Sequence, residues 1–316
     1  MKAAVHTGYG AVEVREVERP APGEGEVLVR VHASSLNAVD WYGYSGRPYF
    51  GRLMSGLRGP KAPELGHDFA GVVESLGAGV DGFAPGDEVF GSAHGAYAEY
   101  VVAGEKVAPK PRSLSFDEAA TIPLAGYTAL QGLRDHGGVQ RGTRVLVNGA
   151  SGGVGLFAVQ IAKTLGAHID AVCSTRNVEQ ARAHGADRVF DYTREDFARS
   201  GERYDVLFDN AGNRSWAAMR RVLGADGTVV LVGGPRNPMF GPLGHIVRAK
   251  LAAKAGRRRA VFFIAKPNRA DLETLRELAE AGSLRPVIQE RYDLAQVADA
   301  FRAMDGHARA KIVVTM

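Results

Sequence analysis

A glycine-rich run is the part of this sequence whose residue types and spacing point most directly to chemistry. Residues 147–155 read Val-Asn-Gly-Ala-Ser-Gly-Gly-Val-Gly and join an apolar strand pattern to an apolar helix pattern. Glycines there allow a tight turn and a close approach of backbone to ligand, while free N–H groups at the helix start attract negative charge. The spacing predicts a pyrophosphate site for a dinucleotide; the alternative is a turn without a ligand. The residues predicted to form it are Gly149, Ala150, Ser151, Gly152, Gly153, Val154 and Gly155.

The end of the next predicted strand indicates which dinucleotide binds. An acidic residue about twenty residues beyond the glycine run accepts hydrogen bonds from the adenosine ribose. The sequence instead has Ser174, Thr175 and Arg176, which donate hydrogen bonds and bring positive charge to a 2′-phosphate. These residues predict NADPH as the cofactor. The alternative is that Arg176 is a solvated residue that opens a helix.

Strand and helix patterns alternate from residue 116 to residue 265, which indicates a parallel sheet. We therefore predict an α/β fold with a doubly wound Rossmann domain over residues 116–265. Such sheets bind ligands beyond the carboxyl ends of their strands, so the segments after the strands should open onto one crevice. Those segments are 148–155, 174–177, 210–212 and 233–234, and they add Asn210 and Gly233 to the predicted cofactor site.

The chain outside this domain has a different pattern. Residues 1–115 contain short β-rich runs separated by Pro, Gly and Asp turns, which is typical of an irregular β-barrel. Beyond residue 265, apolar residues recur at helical spacing before a final strand at 311–314, and we interpret them as core. These residues are Leu272, Leu275, Leu278, Leu294, Val297, Phe301 and Met304.

Composition excludes several classes of protein. One cysteine, Cys173, is present among 316 residues, so neither a disulfide framework nor a cysteine-built zinc site is expected. No apolar run approaches the ~20 residues of a membrane span and no signal peptide follows Met1, so a cytoplasmic protein is expected. The net charge is +4, and a basic segment at 248–259 is either a solvated face or a surface for a phosphate-rich partner. No nucleic-acid-binding module accompanies it.

A set of motifs follows the order typical of one enzyme family. In chain order they are Asn37-Ala-Val-Asp40, Pro63-Glu-Leu-Gly-His-Asp-Phe-Ala-Gly71, Pro85-Gly-Asp-Glu-Val89, Gly95-Ala-Tyr-Ala-Glu-Tyr100, residues 119–130, the glycine run and Leu284-Arg-Pro286. With them, the chain resembles the zinc-free medium-chain dehydrogenase/reductases of the quinone oxidoreductase and enoyl reductase type. The segment Cys173-Ser-Thr-Arg-Asn177 is particularly similar to the reticulon-4-interacting reductases.

This resemblance implies a GroES-like β-barrel catalytic domain that the Rossmann domain interrupts, with the active site between the two. The catalytic domain would comprise residues 1–115, completed by 266–316. The resemblance also implies that Thr128, Tyr192 and Lys311 belong to the cofactor site, with Lys311 adding positive charge. A homodimer joined through the last Rossmann strand, near 261–264, is implied as well, since an exposed apolar edge strand needs covering.

Zinc-dependent members of this family carry cysteines where Asn37 and Leu124 stand, and a histidine where His67 stands. A catalytic zinc ion requires three converging protein ligands, and one imidazole cannot supply them. The departure from the family pattern predicts a site without metal. His67 would then be a hydrogen-bonded residue of the cleft or core.

Loss of the metal narrows the chemistry, because zinc assists the removal of a proton from an alcohol. Hydride addition to a quinone, enal or enone gives an anion that is already delocalised, so we expect NADPH-dependent reduction of quinones or α,β-unsaturated carbonyls. Asn37 and Tyr42 can donate hydrogen bonds to the oxyanion, and Asp40 would orient its neighbours. The alternative is that these polar groups only satisfy the loop backbone.

Two other functions stay open at this point. One is a binding protein that senses NADPH without turnover while another surface, such as the basic segment, binds a partner. The other is a zinc-free aldehyde or alcohol oxidoreductase, which the oxyanion argument disfavours. The acceptor depends on how residues 42–54 and 234–245 fold over the cleft, and such long loops resist prediction.

Overall fold

The structure is a computed structural model that describes residues 1–57, 59–234, 238–239, 241–254, 256–305 and 310–316. Its strands are β1 (Lys2–Gly8), β2 (Ala11–Glu16), β3 (Val27–Ser35), β4 (Asp68–Leu76), β5 (Glu88–Ser92), β6 (Tyr100–Ala103), β7 (Val107–Pro109), β8 (Arg144–Asn148), β9 (His168–Cys173), β10 (Arg188–Asp191), β11 (Tyr204–Asp209), β12 (Leu223–Leu231), β13 (Arg259–Phe262), β14 (Ile288–Asp293) and β15 (Lys311–Thr315). Its α-helices are α1 (Ala38–Ser45), α2 (Arg52–Ser55), α3 (Phe116–Ala120), α4 (Pro123–Gln131), α5 (Gly153–Thr164), α6 (Val178–Ala183), α7 (Trp216–Val222), α8 (Leu243–Ala253), α9 (Arg269–Glu280) and α10 (Val297–Asp305).

The described residues divide into two units. The first unit contains Met1–Tyr127 and Lys266–Met316, and the second contains Thr128–Ala265. Residues 116–127 lie in the first unit, where α3 packs against β3 and β4, rather than with the Rossmann sheet as the sequence predicted. The division therefore falls within α4 instead of before α3.

The second unit is built on a six-stranded sheet in the order β10-β9-β8-β11-β12-β13, with all pairings parallel. The strand order reverses between β8 and β11, which is the arrangement of a doubly wound Rossmann domain. Asn148, the last residue of β8, pairs with Val172 on one side and Asp209 on the other. The segments that follow these three strands therefore share one edge of the sheet, as predicted.

The middle of the central strand β8 is apolar, as is typical of a parallel strand covered on both faces. Val145, Leu146 and Val147 are all fully buried. Cys173 is buried at the end of β9, and burial raises the pKa of its thiol to about 11. This cysteine is therefore an inert part of the core.

The first unit contains a mainly antiparallel sheet in the order β14-β15-β3-β4-β5-β7, with β6 paired to β3, and a separate β1-β2 hairpin. The last strand, β15, pairs antiparallel with β3 and brings Lys311 beside the chain that leaves β3. The apolar residues predicted as core are buried, except for the half-buried Leu278. No described helix is long and apolar enough to cross a membrane.

Candidate active site

The glycine run forms a turn between β8 and α5. Gly149 has a φ of +88°, a left-handed conformation that favours glycine. A Cβ on Gly155 would lie 2.1 Å from the carbonyl oxygen of Gly149, so the first turn of α5 packs directly on bare backbone. The helix begins after Gly152, which offers no side-chain cap, and its first N–H groups are open to an anion. This surface fits a dinucleotide pyrophosphate.

The predicted residues of the turn differ in exposure. Ser151, Gly152, Gly153 and Val154 are half-buried at the start of α5. Ala150 is fully buried, and its N–H donates to Val172 at 3.0 Å. Ala150 therefore shapes the turn from inside and does not present its side chain to a ligand.

The strand end beside this turn supplies a second polar surface. The side-chain amide of Asn210 donates to the carbonyl oxygen of Gly149 at 3.4 Å. A Cβ on Gly233 would lie 1.9 Å from the carbonyl oxygen of Asn210, so a side chain there is excluded. The buried carboxylate of Asp209 accepts hydrogen bonds from Asn148 at 2.8 Å and from the Gly212 N–H at 3.0 Å. Asp209 thus holds both segments in place.

The residues after β9 lie in a short 3₁₀ turn at Thr175–Asn177. The hydroxyl of Thr175 donates to Asp191 at 2.6 Å, and this hydrogen bond lowers the pKa of Asp191. Ser174 accepts a hydrogen bond from Asn177 at 3.1 Å. Thr175 is therefore engaged with a carboxylate, which adds negative charge where the sequence predicts a phosphate.

Arg176 is the remaining cationic group of this segment. Its side chain is exposed and makes no ion pair within the part of the chain that the structure describes. Tyr192, which follows β10, is 55% exposed, and its N–H donates to the carbonyl oxygen of Cys173. Thr128 is half-buried in α4. Arg176 is therefore an exposed cationic side chain at the end of β9.

In the first unit, Asn37 is held by hydrogen bonds on both ends of its amide. Its oxygen accepts from the ammonium of Lys311 at 2.5 Å, and its nitrogen donates to Asp68 at 2.8 Å and to the Ser35 carbonyl at 3.3 Å. Both N–H groups of the amide are therefore used, and Asn37 is 7% exposed. In this arrangement the side chain of Asn37 holds its neighbours in place, and its predicted donation to an oxyanion stays a prediction.

Lys311 is buried inside the first unit, and its predicted place in the cofactor site stays a prediction. Its ammonium also donates to the Leu36 carbonyl at 3.0 Å and lies 4.0 Å from the carboxylate of Asp68. Burial lowers the pKa of Lys311, while the charge of Asp68 opposes that shift. Burial raises the pKa of Asp68, and the charge of Lys311 opposes it. The charge of each residue therefore stabilises the charged form of the other.

Asp40 contacts both the start of α1 and a histidine. One carboxylate oxygen accepts from the Asn37 N–H at 2.8 Å at the start of α1, and the other lies 2.5 Å from Nδ1 of His67. The Asp40 side chain is fully buried, whereas that of His67 is 38% exposed. Burial lowers the pKa of His67, but the hydrogen bond and charge of Asp40 outweigh it and raise the pKa overall. His67 therefore keeps its proton to a higher pH than an unperturbed histidine does.

A cavity of about 240 Å³ lies beside this pair in the first unit. It is lined by Val39, Gly43, Lys61, Glu64, His67 and His94, among others. The rings of His67 and His94 lie 5.7 Å apart. Burial lowers the pKa of His94, and the charge of His67 lowers it further. His67 is therefore the imidazole of this cavity that holds a proton most readily.

Tyr42 lies on α1, two residues beyond Asp40. Its ring is half-buried and meets Trp41 edge-on, with 5.4 Å between ring centroids. Trp41 itself is buried in the core. The predicted role of Tyr42 as an oxyanion donor stays a prediction.

The residues at the zinc-ligand positions of the family do not fit a zinc ion. Asn37 contributes an amide already bound to an ammonium, and Leu124 has no donor atom. Its N–H instead donates to Asp68 at 3.1 Å. Among the described residues, no group of three or more His, Cys, Asp or Glu side chains could hold a metal ion. Only His67 remains of the ligand set.

Sequence reasoning missed Asp68 and assigned other roles to Lys311 and His67. Asp68 and Lys311 lie in separate strands, and the sequence predicts His67 only as a hydrogen-bonded residue of the cleft or core. A buried strand that carries a lysine, as in Lys311-Ile-Val-Val314, is a signal that could have been used, because a buried lysine requires a partner. In the second unit, Asp209 ends an apolar strand and carries the same signal.

The basic segment at 248–259 is partly used by the second unit itself. Arg257 pairs with Asp226 at 2.7 Å, and Arg258 donates to the Leu223 carbonyl at 3.1 Å. Arg248, Lys250 and Lys254 are exposed. The cluster therefore offers less unpaired charge than its sequence suggests.

Comparison with known proteins adds to this geometry. Residues 23–112 match the alcohol dehydrogenase GroES-like domain, and residues 184–314 match the zinc-binding dehydrogenase family. The 2-methylene-furan-3-one reductase of Solanum lycopersicum is 35% identical over 99% of this chain and 79% of its own. The mitochondrial NAD(P)H oxidoreductase RTN4IP1 of Mus musculus is 35% identical over 92% of this chain and 82% of its own.

One solved structure has a similar fold over the whole length of this chain. The quinone oxidoreductase from Coxiella burnetii superposes with a TM-score of 0.85 at 30% identity, covering 100% of this chain and 99% of that one. The match includes both the GroES-like part and the Rossmann sheet. The chain belongs to the quinone oxidoreductase-like branch of the medium-chain dehydrogenase/reductase superfamily.

Proposed function

We propose that this protein uses NADPH to reduce quinones or α,β-unsaturated carbonyls without a metal ion. The observation that carries the proposal is the amide of Asn37, which is bound to Lys311 at the position where zinc-dependent relatives have a thiolate. Quinones and conjugated carbonyls accept hydride without a Lewis acid, because the resulting anion is delocalised. A quinone oxidoreductase and a furanone reductase among the similar proteins support this class of acceptor.

The second unit would bind the cofactor, and bound NADPH would supply the hydride. The first-turn N–H groups of α5 would hold the pyrophosphate over the bare backbone of Gly149 and Gly155. Asn210 and Gly233 would line the neighbouring strand end. Arg176 would pair with the 2′-phosphate that distinguishes NADPH from NADH.

The first unit would supply the groups that meet the acceptor. Asn37, Asp68 and Lys311 hold the start of α1 in place, so that Tyr42 is presented from a rigid element. Tyr42 would donate a hydrogen bond to the developing oxyanion. Asp40 would orient His67 beside the cavity.

We also propose a homodimer, because the sheet of the second unit ends at β13. Phe262 is 37% exposed and Ile264 is 77% exposed, so an apolar edge is left to cover. A second copy paired along β13 would cover it. Sedimentation of the purified protein tests this assembly, and fractionation of the source cells tests the predicted cytoplasmic location.

A screen of quinones, enals, enones and aldehydes, followed by the loss of NADPH absorbance, tests the proposed activity. Two glycine variants test whether the activity found in this screen depends on the predicted cofactor site. Gly155→Ala places a Cβ against Gly149 and should abolish NADPH binding and turnover. Gly244→Ala adds a Cβ with nothing within 4 Å, in the same unit, and should leave both unchanged.

The outcomes separate the alternatives. Turnover of a quinone or enone, lost in Gly155→Ala and kept in Gly244→Ala, supports the reductase. NADPH binding without turnover of any acceptor would favour the sensing protein instead. Turnover confined to simple aldehydes would favour the metal-free aldehyde oxidoreductase.

A further inference from the structure

The imidazole of His67 has its two nitrogens in different surroundings. Nδ1 lies 2.5 Å from the fully buried carboxylate of Asp40, so the opposite edge of the ring, which carries Nε2, faces away from that contact. The ring lines the cavity of about 240 Å³ and is 38% exposed. A carboxylate on one nitrogen supports a proton on the other, because it stabilises the imidazolium.

The other charged groups near His67 define its electrostatic surroundings. Asp40 and Asp68 stabilise the charged ring, while the nearby His94 has its pKa lowered by burial and by the charge of His67. Glu64 and Lys61 line the same cavity and carry opposite charges. Among the histidines that line the cavity wall, His67 is thus the one that holds its proton most readily.

We propose that His67, oriented by Asp40, is a catalytic acid that donates the Nε2 proton to the oxygen of the reduced acceptor. This inference rests on the proposed function. The acceptor carbon gains a C–H bond from the hydride, and the electron pair of its double bond moves to the carbonyl oxygen. The Nε2–H bond then breaks as an O–H bond forms, and His67 becomes neutral.

The acceptor would thereby gain the hydride that bound NADPH supplies and a proton from His67, which balances the two-electron reduction. The enol formed from an unsaturated carbonyl would then tautomerise to the saturated carbonyl. Water supplies the next proton, because the ring of His67 is partly exposed. Asp40 does not lose or gain a proton in this scheme. It is a positioning residue that keeps the ring oriented and charged.

The other polar groups nearby are less suited to donate. Both N–H groups of the Asn37 amide are used by Asp68 and Ser35. The ammonium of Lys311 is buried and bound to Leu36 and Asn37. Tyr42 can stabilise an oxyanion with its hydroxyl, but a phenol at ordinary pH is a weaker acid than an imidazolium.

The first test compares His67→Gln with His184→Gln, a histidine in the second unit, in an otherwise intact protein. We expect His67→Gln to lower kcat by about 10²–10⁴-fold with little change in NADPH affinity. Wild-type kcat should fall as the pH rises through the pKa of His67, because the acid must be protonated. That dependence should disappear in His67→Gln and persist in His184→Gln.

The second test does not depend on activity. Proton NMR titration of the histidine rings, with the His67 signal identified by its absence in His67→Gln, gives the pKa of this residue directly. We expect it above that of an unperturbed histidine and lower in Asp40→Asn. If Asp40→Asn fails to fold, the wild-type titration alone still decides the sign.

Three results would overturn the inference. A His67 pKa below that of an unperturbed histidine would remove the proposed proton. Wild-type turnover and pH dependence in His67→Gln would assign the proton to another donor, such as Tyr42, while leaving the reductase intact. A wild-type protein that turns over no acceptor would overturn the proposed function, and this inference with it.

Discussion

The ammonium nitrogen of Lys311 lies 2.5 Å from the amide oxygen of Asn37, although 274 residues separate the two in the sequence. The antiparallel pairing of β15 with β3 brings them together. The same amide donates to the buried carboxylate of Asp68 at 2.8 Å. A buried ion pair bridged by an amide thus stands where zinc-dependent relatives have a thiolate ligand.

The purified protein should therefore contain no stoichiometric zinc, and a chelator should not change its activity. An amide bound to an ammonium and a leucine cannot replace two thiolates. Elemental analysis per chain measures this directly, with a zinc-dependent alcohol dehydrogenase as the positive control. Near-stoichiometric zinc, with activity lost to the chelator and restored by zinc, would contradict the metal-free site.

Replacement of Lys311 by methionine should lower the free energy of unfolding by about 3–5 kcal/mol near neutral pH. The change removes one partner of a buried pair and leaves Asp68 without compensation. Urea unfolding measures the loss. Lys250→Met, at an exposed lysine on α8, should change the free energy by less than about 0.5 kcal/mol.

The loss in Lys311→Met should depend on pH in a defined direction. Burial raises the pKa of Asp68 in the folded protein, and the charge of Lys311 holds it down. Without Lys311 the folded-state pKa rises further above the unfolded value, so the variant loses stability as the pH increases through that range. The difference in the free energy of unfolding between wild type and Lys311→Met should be small near the unfolded pKa of aspartate and should increase with pH. A difference that decreases with pH would contradict the pairing of Lys311 with Asp68.

Arg176→Ala should weaken NADPH binding by roughly tenfold to a hundredfold and leave NADH binding almost unchanged. A hydrogen bond to a charged group contributes on the order of 1.5–3 kcal/mol, and the 2′-phosphate is the only group that differs between the two cofactors. Fluorescence titration of both cofactors measures the change. Arg220→Ala, at an exposed arginine of α7, is the control.

The wild-type protein should bind NADPH at least about tenfold more tightly than NADH. The carboxylate of Asp191, bound to Thr175, works against this preference, so Arg176 must outweigh it. A wild-type preference for NADH would show that Asp191 dominates. Equal losses for both cofactors in Arg176→Ala would instead indicate a damaged fold.

Tyr42→Phe should lower turnover much more than it weakens NADPH binding. Removal of a hydrogen-bond donor that acts in the transition state raises the barrier by about 2.7–4 kcal/mol. Steady-state kinetics and cofactor titration separate the two effects. Tyr292→Phe, in the same unit, should behave like wild type, and unchanged turnover in Tyr42→Phe would reduce Tyr42 to a packing residue.

The glycine turn could be predicted from sequence because its determinants are local. Gly149 and Gly155 are six residues apart, and the close contact between them follows from one strand and one helix. The parallel sheet followed from the alternation of strands and helices, and its register brought Asn148 and Asp209 to a common edge. Short-range patterns of this kind are sufficient to predict the fold of the second unit, and the cofactor site placed at this edge of the sheet stays a prediction.

The polar network of the first unit could not be predicted, because its members are far apart in sequence. The amide of Asn37 looked free to donate until β15 placed Lys311 against it and β4 placed Asp68 against it. His67 looked passive for the same reason, since its partner Asp40 lies 27 residues away. Composition shows which groups are present, but only strand pairing decides which of them are already used.

We propose that the protein turns over NADPH with a quinone or an α,β-unsaturated carbonyl and needs no metal. The most direct measurement incubates chelator-treated wild-type protein with NADPH and the best acceptor, and quantifies both NADPH consumed and reduced product by mass spectrometry. We predict one hydroquinone or saturated carbonyl for each NADPH consumed, over many turnovers. Binding of NADPH without its consumption, or turnover that returns only when zinc is added, would contradict metal-free reduction by this protein.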